Sequence, residues 1–336
     1  MKAMQLQQVS AITDGSRPLV PVEVPMPPLP NDSLLLRVLA CGVCHTELDI
    51  IEGRTPPPKL PVIPGHEVVG SVEEIGKNTA GYTIGDQVGV GWIFRSSGGA
   101  HENLSPEFCA TGRDADGGYA EYMSVPAAYV VPIPASLTAT EAAPLLCAGA
   151  IGYRALQLCN LDDGDRLGLM GFGASGRLTL QAARYLYPHS EVDVFARDEA
   201  DQEDAIGMGA TWAGGVDERP PSPCQTIIDT TPAWTPVLHA LKHLAPGGRL
   251  VINAIRKEDG DRAFLGGLDY TEHLWMEKEV KTVANITHHD ISQFIPIAAA
   301  ADIRPSVEVL PLKRANDALC HLKRGGNRNA FVLLPA

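Results

Sequence analysis

Asp165-Arg166-Leu167-Gly168-Leu169-Met170 runs directly into Gly171-Phe172-Gly173-Ala174-Ser175-Gly176, and residues 177–186 continue with a helical pattern. Residues 165–171 read as a buried strand and residues 177–186 as a helix. A G-x-G-x-x-G turn alone is a weak signal. Between a strand and a helix it is a strong one, because the glycines let the backbone approach a pyrophosphate at the helix N-terminus. Gly171, Gly173, Ala174, Ser175 and Gly176 are therefore expected to bind a dinucleotide. The fold class that follows is α/β, with a doubly wound parallel sheet.

The next strand is expected over residues 191–197, Glu-Val-Asp-Val-Phe-Ala-Arg. Units specific for NAD carry an acid at the end of this strand to hold the ribose 2′-hydroxyl. Counting back from Gly209-Ala210 puts Ala196 at that position and Arg197 after it. A guanidinium in place of a carboxylate favours a 2′-phosphate, hence NADP(H), with NAD(H) possible. Asp198 is the alternative group, should the loop present it instead. Residues 226–229 read as a further strand, 234–244 as a helix and 246–253 as turn plus strand. Residues 270–287 are expected to hold a helix and a last strand, 280–285.

Upstream, Cys41-Gly42-Val43-Cys44-His45-Thr46 and Gly65-His66-Glu67 place two cysteines, an imidazole and a carboxylate in one short segment. Zinc takes sulfur, nitrogen and oxygen donors, and a catalytic site keeps one position open. Cys147, just ahead of the dinucleotide unit, is the best further ligand. A closed structural site needs four ligands and no second C-x2-C exists, so Cys41 reads as a buried small residue. Residues 68–75 read as a strand, 85–90 as a turn into another strand that Trp92 ends, and residues 140–160 as a helix. His288-His289-Asp290 reads as a polar-capped helix start rather than a metal cluster, since adjacent residues share no face. A helix including residues 315–319 and a strand over 330–334 close the chain.

Composition narrows the function. The chain has 336 residues, enough for two domains, and a net charge of −13. That charge argues against nucleic acid and anionic membranes. No uninterrupted apolar run reaches the ~18 residues of a span, and the start lacks a signal-peptide core, so the cytoplasm is expected. Seven scattered cysteines do not make a disulfide framework.

The motifs CGVCHTEL, GHEVVG, GDQV, DGGYAEY (116–122), GFGASG (171–176) and LAPGGRL (244–250) occur in the order found in the zinc-dependent medium-chain alcohol dehydrogenases. The chain resembles that family over nearly its whole length. The resemblance implies a GroES-like, β-rich catalytic domain (1–152 and 288–336) interrupted by a Rossmann domain (153–287). It implies zinc ligands Cys44, His66 and Cys147, with Glu67 able to approach the metal or to orient the ligands. It implies that Thr46 accepts the alcohol proton, and it places His45 at the cofactor. Asp49 stands where relatives carry a relay histidine. Trp92 matches a substrate-pocket position, with a core role as the alternative, and Thr55 replaces a large aromatic and widens that pocket. Relatives often carry a lobe with four cysteines for a structural zinc. Residues 92–112 retain only Cys109, so one zinc per chain is expected.

The activity implied is hydride transfer between NADP(H) and a primary alcohol or aldehyde, aliphatic or aromatic, by a homodimer or homotetramer. A zinc-free quinone or enone reductase and a non-catalytic NADPH-binding structural or sensor protein are the competing readings. The intact Cys44/His66/Cys147 set counts against both.

Overall fold

A computed structural model describes residues 1–326 and 328–335. The chain divides into two compact units, Met1–Ala150 with Ile286–Ala336, and Ile151–Asn285.

The first unit is β-rich. Strands β1 (Lys2–Leu6) and β2 (Leu19–Glu23) pair antiparallel. Strand β3 (Ser33–Val43) is the spine, eleven residues long and almost wholly buried, as its sequence SLLLRVLACGV requires. It leads into helix α1 (His45–Ile51). Strands β4 (Val68–Ile75), β5 (Gln87–Val90), β6 (Ile93–Arg95), β7 (Cys109–Ala110), β8 (Tyr122–Pro126) and β9 (Val130–Pro132) follow. Trp92 lies between β5 and β6 rather than ending a strand.

Helix α2 (Ala139–Pro144) starts at a capping box between Thr138 and Glu141. The helix expected over 140–160 is not uniform: a wide π-turn, Leu145–Gly149, separates α2 from α3 (Ala150–Cys159). Pro144 has no N–H to give the ladder, and the turn widens immediately after it. The stretch Ala139–Cys159 is long and apolar enough to cross a bilayer, but 67% of its apolar window is buried, as in a core helix.

The second unit is a six-stranded, all-parallel sheet. Its elements are β10 (Arg166–Met170), α4 (Ala174–Leu186), β11 (Glu191–Phe195), α5 (Glu199–Gly207) and β12 (Trp212–Gly214). Then come β13 (Cys224–Asp229), α6 (Thr235–His243), β14 (Leu244–Ile252) and β15 (Glu279–Thr282). The strand order β12-β11-β10-β13-β14-β15 reverses direction beside β10, which makes the sheet doubly wound. Met170, Phe195, Ile227, Leu241 and Leu250 share its core.

Three segments differ from the pattern that the sequence suggests. The strand expected over 191–197 stops at Phe195. The strand expected over 280–285 runs Glu279–Thr282. The helix expected within 270–287 is only a wide turn, Tyr270–Leu274. Met276 and Glu277 follow it with positive φ (70° and 61°), a conformation that no helix can continue through.

The chain then returns to the first unit. Helix α7 (His288–Ala300) is capped by Thr287 and Asp290, and strand β16 (Val307–Pro311), helix α8 (Ala315–Arg324) and strand β17 (Ala330–Leu334) complete it. The first unit's main sheet has the order β16-β17-β3-β4-β5-β9, with β8 also on β3.

Candidate active site

The end of β3 and the start of β4 are neighbours, with Cys41 opposite Val68. Gly42 N–H donates to the Glu67 carbonyl at 2.9 Å. This register carries Cys44, just past β3, up to His66 and Glu67, just before β4. The π-turn supplies Cys147. The candidate ligand atoms of Cys44, His66, Glu67 and Cys147 all lie within 4.8 Å of one another, with the two sulfurs 3.8 Å apart. Cys41 is fully buried on β3 and outside this group.

Glu47, which the motif reading passed over, organises the cluster. Cys44 is the N-cap of α1, and Glu47 is three residues on, in capping-box spacing. One carboxylate oxygen accepts the Cys44 N–H at 2.9 Å, while the other lies 2.5 Å from His66 Nδ1. A proton on Nδ1 leaves Nε2 as a bare acceptor. That Nε2 is buried and has no hydrogen-bond partner. A metal ion would satisfy it, and the S, N, O, S donor set suits zinc. Glu67 is 3% exposed and lies directly over Gly42. A Cβ at residue 42 would fall 1.8 Å from Glu67 Oε2, so any larger residue there would force the carboxylate to move.

The protonation states are mutually dependent. The contact with Cys147 draws the Cys44 thiol well below its usual value, against the opposing effect of burial, and His66 adds to the lowering. The same contact, with burial, holds the Cys147 proton well above the ordinary thiol range. Burial opposes a charged His66, but the Glu47 carboxylate and Cys44 override it and raise its pKa. Burial and the charge on Cys44 raise Glu67. A divalent cation would relieve all of these competing demands at once.

The other candidates have distinct places. The Thr46 hydroxyl lies 3.7 Å from Cys44 Sγ. His45 is exposed at the first position of α1. Asp49 is buried, and its carboxylate accepts from Arg54 Nε at 2.5 Å. Thr55 Oγ1 is buried without a hydrogen-bond partner. The Trp92 ring packs edge-on against His66, with centroids 4.9 Å apart, and its Nε1 is buried and unpaired.

The lobe that follows is held without a cysteine cage. β6 pairs with β7, which carries Cys109. Tyr129 Oη accepts from Ser96 N–H and donates to its carbonyl, each at 2.9 Å. The buried Glu102 carboxylate accepts the His288 N–H at 2.6 Å, at the start of α7.

In the second unit, Gly173 caps α4, whose first turn contains Ala174, Ser175 and Gly176. A Cβ on Gly176 would lie 2.5 Å from the Gly171 carbonyl, and the space around Gly173 is open. The turn is a cradle that a phosphate can approach. Ala196 is buried just past β11. Arg197 is exposed and makes no ion pair among the described residues. Asp198 begins α5 without a side-chain cap bond.

Residues 30–135 match the alcohol dehydrogenase GroES-like domain. The chain is 39% identical to a probable alcohol dehydrogenase, AdhA, of Mycobacterium tuberculosis, over 99% of this chain and 97% of that protein. It is 30% identical to an alcohol dehydrogenase of Geobacillus stearothermophilus, over 97% and 98%. A cinnamyl alcohol dehydrogenase structure from Sorghum bicolor superposes with a TM-score of 0.84 at 25% identity, covering 99% of this chain and 96% of that one. With the doubly wound sheet, the match at residues 30–135 and full-length relatives of this identity, the chain belongs to the medium-chain alcohol dehydrogenase family of oxidoreductases.

Proposed function

We propose that the protein is a zinc-dependent oxidoreductase that moves a hydride between NADP(H), in preference to NAD(H), and a primary alcohol or aldehyde. The observation that carries this reading is the buried, unpartnered His66 Nε2 among Cys44, Glu67 and Cys147. The first compact unit is the catalytic domain and the second the dinucleotide domain.

When bound, zinc polarises the substrate oxygen and brings the alcohol pKa toward neutrality, and the nicotinamide exchanges the hydride. Cys44, Cys147 and His66 hold the metal, with Glu67 as a further oxygen donor. Glu47 fixes the His66 tautomer by accepting from Nδ1. Thr46 takes the alcohol proton at its hydroxyl. Trp92 keeps water from the His66 ring, and its indole with Thr55 borders the substrate. Gly171 to Gly176 hold the pyrophosphate, and Arg197 pairs with the 2′-phosphate. His45, exposed beside Thr46, contacts the cofactor.

A homodimer or homotetramer in the cytoplasm completes the proposal. Support for self-association comes from Tyr270, Trp275, Met276 and Val280, each about half exposed or more at and before the edge strand β15. Light scattering reads the oligomer.

Metal analysis together with NADPH oxidation on a panel of aldehydes tests the activity. One zinc per chain and turnover are expected. Two tightly held zincs, or no turnover in zinc-loaded protein, overturn the reading.

A further inference from the structure

Asn253 follows β14 directly and is 8% exposed, yet its Nδ2 is buried without a hydrogen-bond partner. A buried amide donor left unpaired costs free energy comparable to a lost hydrogen bond, so Asn253 calls for a partner that the described residues do not supply. Its surroundings are built rather than loose. Asn253 N–H donates to the Asp229 carbonyl at 2.7 Å. Four residues on, Lys257 reaches back to β13: its Nζ contacts the Asp229 carboxylate and donates to the carbonyls of Thr231 at 2.8 Å and Ala233 at 2.9 Å. Asp229 is fully buried, and its other oxygen accepts from the Thr231 N–H and hydroxyl at 2.9 and 2.7 Å. The loop that carries Asn253 is thus clamped to its neighbouring strand.

The carboxyl ends of β11, β10, β13 and β14 stand side by side in that order. They present Arg197, the glycine turn, Thr230-Thr231 and Asn253 in one row. The turn and the threonines touch, since a Cβ on Gly171 would lie 2.8 Å from Thr230 Oγ1. Strands are about 4.8 Å apart, so the row spans about 14 Å. In a doubly wound sheet a dinucleotide lies along this edge, across the point where strand order reverses. With the 2′-phosphate at Arg197 and the pyrophosphate on the turn, the nicotinamide half falls on the β13–β14 side.

Resting on the cofactor reading above, we infer that Asn253 Nδ2 donates to the carboxamide oxygen of the nicotinamide ring, with Lys257 and Asp229 as positioning residues. The donor fixes which face of the ring is presented and strengthens binding of the whole dinucleotide, but not of a fragment that lacks the nicotinamide.

Calorimetric titration separates the two halves. Asn253→Ala is expected to weaken NADP⁺ about three- to tenfold while leaving 2′-phospho-ADP-ribose, which lacks the nicotinamide, within about twofold. Asn253→Asp keeps the shape, loses the donor and should weaken NADP⁺ at least as much. Wild type should also bind the thionicotinamide analogue more weakly than NADP⁺, because sulfur is the poorer acceptor. Unchanged NADP⁺ affinity in both variants, or equal loss for both ligands, overturns the inference. So does wild type that does not distinguish the thio analogue, a result that needs no variant to fold. If wild type binds neither NADP⁺ nor 2′-phospho-ADP-ribose, the cofactor reading itself fails and the inference falls with it.

Discussion

The two candidate binding regions are built on opposite plans. Around the metal candidates, His66, Glu67 and Glu47 are at most 3% exposed, and each is fixed by a specific neighbour. At the nucleotide turn, space is left open beside Gly173, and Arg197, the charge proposed to discriminate the cofactor, stands in solvent. On the proposed function, the first region would set reactivity, where a small displacement is costly. The second would set preference, where an exposed charge adjusts affinity without disturbing the core. Substitutions should therefore have large, all-or-none effects in the first region and graded, salt-sensitive effects in the second.

The largest expected effect comes from Cys44→Ala or His66→Ala. Turnover should fall to background and metal content with it, while circular dichroism and the dinucleotide affinity of the second unit stay near wild type. Retained zinc at full stoichiometry would break the comparison. Next, Thr46→Val should lower the rate by about 10²–10⁴-fold with zinc still bound, and Thr46→Ser should keep much of it. A near-normal rate in Thr46→Val would send the proton by another route. Glu47→Gln should lower metal affinity about 10–100-fold, measured by competition with a chelator. An unchanged affinity would mean that His66 is held without its carboxylate. The smallest effect is at Arg197→Ala. NADP⁺ should weaken about tenfold, at the low end for a charge-assisted bond because the guanidinium is screened, with NAD⁺ little changed. The difference should shrink further at high salt. Equal effects on both cofactors would assign discrimination elsewhere, with Asp198 the first group to examine.

Segments bounded by local punctuation were legible from the chain alone. Residues 68–75 and 330–334 coincide with β4 and β17, and the strand–turn–helix around Gly171 is present with α4 starting at Ala174. Helix α7 begins at His288 with the polar cap that its sequence announces. What escaped depends on contacts distant in sequence. The Glu47–His66 pair spans nineteen positions and arises only when β3 and β4 are in register. The signal was present in part, since Glu47 stands three residues after Cys44, but its partner was not. The π-turn at Leu145–Gly149 was hidden because its residues are as apolar as the helices on either side, and only Pro144 hinted at it. The short edge strand β15 is exposed at every position and so lacks the burial pattern that betrays an inner strand.

The pairing of β17 with β3 sets an order of events during synthesis. Phe331 lies opposite Val43, and Leu333 opposite Cys41. The end of β3 that delivers Cys44 to its place therefore keeps an unpaired edge at residues 41–43 until residues 331–333 have left the ribosome. At about 5–20 residues per second the wait is on the order of tens of seconds. The parallel-sheet unit, continuous from Ile151 to Asn285, is complete before that edge is covered. In the interval Cys41 and Cys44 belong to an unfinished sheet, so truncation or stalling upstream of residue 330 should leave nascent chains that chaperones retain and oxidants attack first at these thiols.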